Sequence, residues 1–183
     1  AVAASDPRVL DAVRLSSAPV ALRYKDAIHD ERIRFTDAEF FDVFSFPVIA
    51  GSESSFKRGT GIVLTEAVAV KYFGTQAAVG EDMYMTLSDG TVVSTTVSAV
   101  VEDVPMSSSF RFTILAPIDM MTEIGVDFTD WASFASATFL HLAPGSDPLE
   151  VENGLQSYLQ PMQLAGIDRT FERLAIEPLK EVP

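Results

Sequence analysis

The chain has 183 residues, with 26 acidic against 13 basic side chains, a formal net charge of −13 and no cysteine. This length fits one domain or two small lobes, and the hydrophobic content of 48% is enough to build a core. The acidity argues against binding to nucleic acid or to an anionic membrane surface, and the lack of cysteine excludes disulfides and thiolate chemistry.

The N-terminal part of the chain is predicted to form a helix followed by a strand and a turn. The dipeptide Asp6-Pro7 is typical of a helix start, because proline suits the first helical position. We therefore predict a helix over residues 7–15. Alternating apolar side chains then predict a half-buried strand over residues 20–25, and Asp30-Glu31 predicts the turn that follows it.

Two short helices with aromatic faces are predicted next. In the first, Thr36 and Glu39 have the spacing of a capping box, and phenylalanines follow on one face. In the second, a strand ends at Thr65, whose hydroxyl is placed to cap the helix, and Gly74 is placed to end it. We expect the aromatic faces of these two helices to be buried together.

The middle of the chain is predicted to contain a hairpin. Asp89-Gly90 lies between two runs of alternating apolar residues, and this dipeptide is a strong signal for a tight turn. The return strand is predicted to alternate regularly from Val93 to Val101. A further strand is predicted over residues 110–115.

The C-terminal part repeats the pattern of the N-terminus. A strand over Thr138 to Leu142 precedes Asp147-Pro148, which again predicts a helix start, here for a helix ending near Pro161. A last strand is predicted over residues 171–179. The N-terminal unit lacks a strand before its helix, unless residues 1–4 are its remnant. Two strand–helix–strand units near the two ends predict an α+β fold, in which a sheet lobe is built from both ends of the chain and carries a smaller inserted lobe.

Four segments of the sequence are familiar as a set. They read FTDAEFFDVFSFPVIAGS, GIVLTEAVAVKYFG, AAVGEDMYM and VSAVVEDVPMSSSFRFTILAP, in that order. In this order, and over residues 35–117, the chain resembles MacB-like periplasmic core domains. Such domains are the extracytoplasmic part of the FtsX/MacB class of ABC-transporter permeases.

The resemblance implies a division of the chain. Residues 1–35 and 99–183 would form the sheet lobe, which is porter-like and built of ferredoxin-like units, and residues 36–98 would form the inserted α+β lobe. Together they would make one periplasmic core domain, excised between membrane helices that lie before Ala1 and beyond Pro183. No run within the chain reaches the roughly 18 apolar residues of a membrane span.

The resemblance also implies a function. The domain would belong to a permease in the bacterial inner membrane, and would couple ATP hydrolysis in the cytoplasm to export or extraction of a substrate on the periplasmic side. Its partners would be a second permease copy, a cytoplasmic ABC ATPase and a periplasmic adaptor protein. The domain itself would not be an enzyme. The alternative is a stand-alone extracytoplasmic ligand-binding or sensor domain.

Candidate chemical groups do not form a recognisable motif in the sequence. His29 and His141 are far apart, and a metal site needs several converging ligands. The acid pairs Glu102-Asp103 and Asp119 with Glu123 would suit a carboxylate-dependent hydrolase only if they met in a cleft. Because chance pairs are expected among so many acids, the sequence predicts no catalytic, cofactor-binding or metal-binding residue.

Overall fold

A computed structural model describes residues 5–87, 89–106, 108, 111–124, 126–127, 135–164 and 172–181. The described chain is a mixed α+β structure dominated by one sheet. Its strands are β1 (Val9–Tyr24), β2 (Ala27–Thr36), β3 (Val48–Gly51), β4 (Gly61–Thr65), β5 (Asp82–Thr86), β6 (Val92–Val101), β7 (Ile114–Pro117) and β8 (Ala137–Leu142).

The helices are short. They are α1 (Phe40–Val43), α2 (Ser54–Lys57), α3 (Glu66–Phe73), α4 (Pro148–Leu155) and α5 (Leu159–Leu164), with 3₁₀ turns at Ile118–Ile124, Gln156–Tyr158 and Leu179–Glu181.

The sheet closes on itself. Its strands pair in the order β2-β7-β4-β6-β5-β1, and β1 pairs again with β2, so that these six strands form a ring. The β2–β7 and β4–β6 pairs are parallel and the others are antiparallel. Two further strands lie outside the ring, with β3 paired to β6 and β8 paired to β1.

Both faces of the closed sheet carry apolar side chains. Successive side chains of a strand point to opposite faces, so Ile62 and Leu64 of β4 belong to one apolar cluster and Val63 belongs to another. The first cluster receives alternate residues from all six ring strands and therefore fills the inside of the ring. We call it the inner cluster, and we call the second, which includes Phe40, Phe56 and Phe112, the outer cluster.

The two predicted aromatic helices lie on opposite faces of the sheet. Phe40 of α1 is fully buried in the outer cluster, where its ring stacks on Phe46 at 5.6 Å and meets Phe112 edge-on at 6.0 Å. Tyr72 of α3 is buried in the inner cluster instead. The expectation that the two aromatic faces pack together was therefore wrong, because the sheet separates them.

Helix α3 is held by the hydroxyl of Tyr72 as well as by its apolar face. This hydroxyl lies 3.0 Å from the carboxylate of Glu31 and 3.3 Å from the carbonyl oxygen of Leu22. Burial, together with the charge of Glu31, raises the pKa of Tyr72, so the phenol stays protonated and donates a hydrogen bond. Gly74 ends the helix at φ 70°, which confirms the predicted stop.

The predicted helix over residues 7–15 is wrong, because this segment is the first half of β1. Val9, Val13 and Leu15 are buried at the even spacing of a strand, while Leu10, which a helical face would bury, is 49% exposed. β8 pairs with this half of β1. The strand–helix–strand unit predicted at the N-terminus is therefore absent from the described structure.

The hairpin between β1 and β2 turns earlier than predicted. Tyr24 pairs with Ala27, so the turn consists of Lys25 and Asp26, with Lys25 at φ 51°. The predicted turn residues Asp30 and Glu31 lie within β2 instead. The mutual burial of the two strands, which the local sequence does not show, sets this register.

The predicted hairpin at Asp89-Gly90 is confirmed. Leu87 N–H donates to the carbonyl of Thr91 at 2.8 Å, and Gly90 has φ 87°. The carboxylate of Asp89 accepts hydrogen bonds from the backbone and hydroxyl of Thr91, which lower the pKa of Asp89. Met83 precedes the turn and is fully buried, as the alternating pattern indicated.

The regular alternation predicted for the return strand fails at Ser98. The pairing of β4 with β6 shifts register there, so Val97 and Val100 both enter the inner cluster. Three strands converge on this bulge. The Ser98 hydroxyl donates to the carbonyl of Ile62 at 3.0 Å, and Gly51 of β3 packs directly against the Ser98 backbone.

The C-terminal helix begins as predicted but continues further. The carboxylate of Asp147 accepts a hydrogen bond from Leu149 N–H at 2.9 Å, which confirms the cap. After a 3₁₀ turn the chain is helical again to Leu164, so Pro161 does not end it.

The strand predicted over residues 171–179 is not observed, since the described residues 172–178 belong to no sheet. The side-chain amide of Gln156 instead bonds both backbone groups of Leu174, and Glu152 binds Arg173 and the N–H of Ile176. The second strand–helix–strand unit therefore lacks its last strand here.

Some predicted positions lie outside the described residues. They include residues 1–4 and Phe110, at the start of the predicted strand over residues 110–115. This strand begins later than predicted, since residues 111–113 belong to no strand and β7 starts at Ile114.

Replacing Gly51 with alanine should destabilise the fold more than an equivalent change at Gly59. Both glycines have φ 78°, but a Cβ on Gly51 would lie 2.2 Å from the Ser98 carbonyl oxygen, whereas one on Gly59 meets nothing within 4 Å. Gly59→Ala should cost about 1–2 kcal/mol for the left-handed backbone alone. Gly51→Ala should cost about 3 kcal/mol or more, since close contact adds to that strain. Urea denaturation measures the free energy of unfolding of both variants. Equal losses would contradict the close contact between Gly51 and the Ser98 backbone.

Candidate functional site

A groove of about 330 Å³ lies on the outer face of the sheet, beside the start of α3. It is formed where β2, β4 and β7 lie side by side and where the chain leaves β6. Its lining residues are Arg32, Arg34, Thr65, Ala67, Asp103, Val104, Arg111, Phe112 and Thr113.

Three arginines from two parts of the chain meet at this groove. Arg32 and Arg34 alternate on β2 with the buried Ile33, so both point away from the inner cluster. Arg111 comes from the segment before β7, and its carbonyl oxygen accepts a hydrogen bond from Nε of Arg34 at 3.2 Å. The parallel pairing of β2 with β7 brings the two segments together.

These three guanidinium groups lack acidic partners. Within the described ranges, no carboxylate lies within 4.0 Å of Arg32, Arg34 or Arg111. Of the other described cations, five are paired with a carboxylate, for example Arg14 with Asp37 at 2.5 Å. The groove is therefore a local excess of positive charge on a chain whose formal net charge is −13.

The start of α3 is capped differently from the prediction. Oδ1 of Asp103 accepts a hydrogen bond from the N–H of Ala67 at 3.0 Å, and the side chain of Thr65 makes no capping bond. Thr65 is 2% exposed, and its hydroxyl has no hydrogen-bond partner among the described groups. The groove thus contains one buried, unused hydroxyl and one carboxylate committed to the helix.

An apolar wall completes the groove. Phe112 is 7% exposed and belongs to the outer cluster, against which Val104 also packs. A ligand in this groove would therefore meet cationic groups on one side and hydrocarbon on the other.

The two histidines considered in the sequence are not brought together. His29 lies on β2, where its ring meets Tyr72 edge-on at 5.2 Å. His141 lies on β8, and its Nδ1 is 2.9 Å from a carboxylate oxygen of Asp11 on the neighbouring strand. Within the described part of the chain, no group of three or more potential metal ligands is assembled.

The two acid pairs considered in the sequence lie in different places. Asp103 is in the groove and caps α3, as described above. Asp119 and Glu123 lie in the 3₁₀ turn, where residues four apart are about 120° apart around the axis and do not share a face.

The family of the chain follows from its sequence as a whole. Residues 1–158 match the profile of the MacB-like periplasmic core domain. The chain belongs to this family. It is thus a periplasmic core domain of MacB-like ABC-transporter permeases, as the four ordered segments predicted, and the family is a permease domain and not a catalytic one.

Solved structures of similar fold include a domain of a protein described as a permease, from Porphyromonas gingivalis. It is 20% identical with a TM-score of 0.63, and the match covers 97% of this chain and 79% of that one. The periplasmic region of MacB from Actinobacillus actinomycetemcomitans is 15% identical with a TM-score of 0.64, over 90% of this chain and 71% of that one.

A third similar structure is the extracellular domain of the noncanonical ABC-type transporter YknZ from Gram-positive bacteria. It is 14% identical with a TM-score of 0.61, over 94% of this chain and 84% of that one. No curated protein matches the chain at a significant level. In the described residues of the MacB-like domain, no helix has the length and apolar character needed to cross a membrane.

Sequence reasoning missed the arginine groove. The alternation of Arg32 and Arg34 around Ile33 was a signal that both project from one face of a strand. Arg111 and Asp103 lie beside them because β2, β4 and β7 are neighbours in the sheet. The sequence pattern does not show this neighbourhood.

Substitutions at Asp103 and Thr65 should separate the two possible caps of α3. Asp103→Ala should cost about 1 kcal/mol, because the N–H of Ala67 loses its acceptor. Thr65→Val should cost less than about 0.5 kcal/mol or stabilise the fold, since it removes a buried hydroxyl that has no partner. Chemical denaturation of the two variants provides the comparison. The opposite order of losses would show that Thr65 caps the helix.

Proposed function

We propose that this domain couples ATP hydrolysis in the cytoplasm to export or extraction of a substrate on the periplasmic side. The observation that carries the proposal is the match of residues 1–158 to the MacB-like periplasmic core domain. MacB-family proteins work with an ATPase and with partner copies in ABC transporters. ATP would then be hydrolysed by the ATPase, which is a separate subunit or domain. This domain would transmit motion and would not be catalytic.

The closed sheet suits such a role. Six strands paired in a ring leave no long unpaired edge within the ring, and both sides of the sheet carry packed apolar clusters. A close-packed body of this kind moves as a unit, because cores are not continuously deformable. A displacement applied by membrane helices would therefore be passed on to the distal surface.

The proposal includes partners and a location. The domain would stand in the periplasm on a permease of the bacterial inner membrane, facing a second permease copy and a periplasmic adaptor protein. The parent reading frame should encode an apolar helix directly before Ala1 and about three after Pro183. A freely secreted product would favour the alternative, a stand-alone ligand-binding or sensor domain.

The division into lobes is also a proposal. Residues 1–35 and 99–183 would form the porter-like lobe that contacts a neighbouring copy or adaptor, and residues 36–98 would add further surface. Strands from both sets of residues belong to one sheet, in which β1, β2 and β7 are neighbours and β4, β5 and β6 are neighbours. The lobes would therefore differ in the surfaces that they present and not in having separate cores.

A spin-label experiment tests the coupling without knowledge of the substrate. This domain has no cysteine, so Asp26→Cys, in a permease–ATPase complex whose other cysteines have been replaced, places one label per copy at an exposed residue. Because each permease copy carries one label, pulsed electron resonance measures the distance between the two domains. Coupling predicts that this distance distribution shifts when ATP and vanadate are added.

A matched control uses Asp26→Cys together with Thr60→Cys in one copy, diluted with unlabelled copies. Thr60 is also exposed, and the distance within one domain should not change with nucleotide if the domain moves as a rigid body. An unchanged distance between copies, in a complex that hydrolyses ATP, would contradict the coupling.

A further inference from the structure

We propose that the arginine-lined groove binds a small organic phosphate monoester. The groove is lined by three arginines, Arg32, Arg34 and Arg111, and by one acidic residue, Asp103. Three positive charges and one negative charge leave a local charge of +2. A phosphate monoester carries a charge of about −1.5 to −2 at neutral pH, which complements the groove.

The arginines have the donor chemistry that a phosphate requires. Each guanidinium presents planar N–H groups that match two oxygens of a phosphate at once. In the described structure these groups have no carboxylate within 4.0 Å, whereas Arg8, Arg14 and Arg173 each have one. Other described arginines without such a carboxylate, such as Arg23 and Arg58, do not line the groove, whereas three of them line this one cavity.

A buried threonine lies at the floor of the groove. Thr65 is 2% exposed, lines the groove, and has a hydroxyl without a partner among the described groups. A buried hydroxyl that lacks a partner costs free energy. Its oxygen has less than 1 Å² of accessible surface, so a phosphate would reach it only after the surrounding side chains move. Helix α3 begins at the same place, with the positive end of its dipole towards the groove.

The carboxylate of Asp103 shows that this end of α3 accepts an oxyanion. Its Oδ1 lies 3.0 Å from the N–H of Ala67. Because Asp103 already takes this N–H, the proposed phosphate lies on the arginine side of the groove. The negative charge of Asp103 also repels the phosphate, so removing this charge should tighten binding.

The size and the apolar wall favour an organic phosphate over the free ion. A groove of about 330 Å³ is at the lower end of the range of small-molecule sites, which is roughly 300–1,000 Å³. Val104 and Phe112 would contact the carbon skeleton of the ligand. This inference does not depend on the transport role proposed above.

Calorimetric titration of the 183-residue chain with glycerol 3-phosphate at fixed ionic strength tests the proposal. Saturable binding with a stoichiometry of one is expected. Arg32→Gln and Arg111→Gln should each weaken binding about tenfold or more, because each removes charge-assisted hydrogen bonds.

Two further variants serve as controls. Arg58→Gln makes the same change in net charge at an exposed residue that bonds only Ser55 among the described groups, and it should leave the affinity unchanged. Asp103→Asn keeps an oxygen for the N–H of Ala67 but removes the negative charge, and it should tighten binding.

Three outcomes would overturn the proposal. The first is the absence of saturable binding. The second is an equal loss of affinity in Arg58→Gln and in the groove variants, which would mean that binding depends only on the net charge of the protein. The third is binding to phosphatidylglycerol vesicles without binding of glycerol 3-phosphate, which would assign the groove to a lipid diester.

Discussion

The structure depends on the first strand pairing with three others. β1 is 16 residues long, and Leu15 pairs with Thr36 of β2 on one edge and with Ala137 of β8 on the other. Further along, Leu22 pairs with His29 of β2 and with Met85 of β5. This second set of pairings closes the ring, because β2 and β5 are the two ends of an otherwise open sheet.

Closure determines where apolar side chains are needed. A strand in the ring has one face inside and one face outside, and the outer face of β4, β6 and β7 is covered by the phenylalanines of α1 and α2. Such strands read as continuous apolar runs, as at Gly61–Thr65, where all five residues are buried. β2 is different, because Arg32 and Arg34 occupy its outer positions beyond the covered region. The outer face of the sheet is thus covered by helices at β4, β6 and β7 and forms an open groove at β2.

The parts of this structure that the sequence predicted are those fixed by local chemistry. The turn at Asp89-Gly90, the helix end at Gly74 and the cap at Asp147 each depend on residues within a few positions of one another. The family resemblance, which draws on four segments in order, was likewise confirmed.

The parts that were missed depend on residues far apart in sequence. The segment 7–15 has a helical signal at Asp6-Pro7, yet pairing with β8, more than 120 residues later, makes it a strand. The cap of α3 comes from Asp103, which is 36 residues from Ala67, and not from the adjacent Thr65. Pairing partners of this kind override local preference, since tertiary contacts supply most of the stability of short elements.

A designed disulfide tests the closure of the sheet most directly. Ala21 of β1 lies opposite Thr86 of β5, and the chain has no other cysteine to interfere. The double variant Ala21→Cys/Thr86→Cys should form an intramolecular disulfide under native conditions and not in urea, since directly opposed residues are within bonding range. The offset pair Arg23→Cys/Thr86→Cys should form little, because such diagonal neighbours are about 7–8 Å apart. No native disulfide in the first pair, or equal yields in both, would contradict the closed sheet.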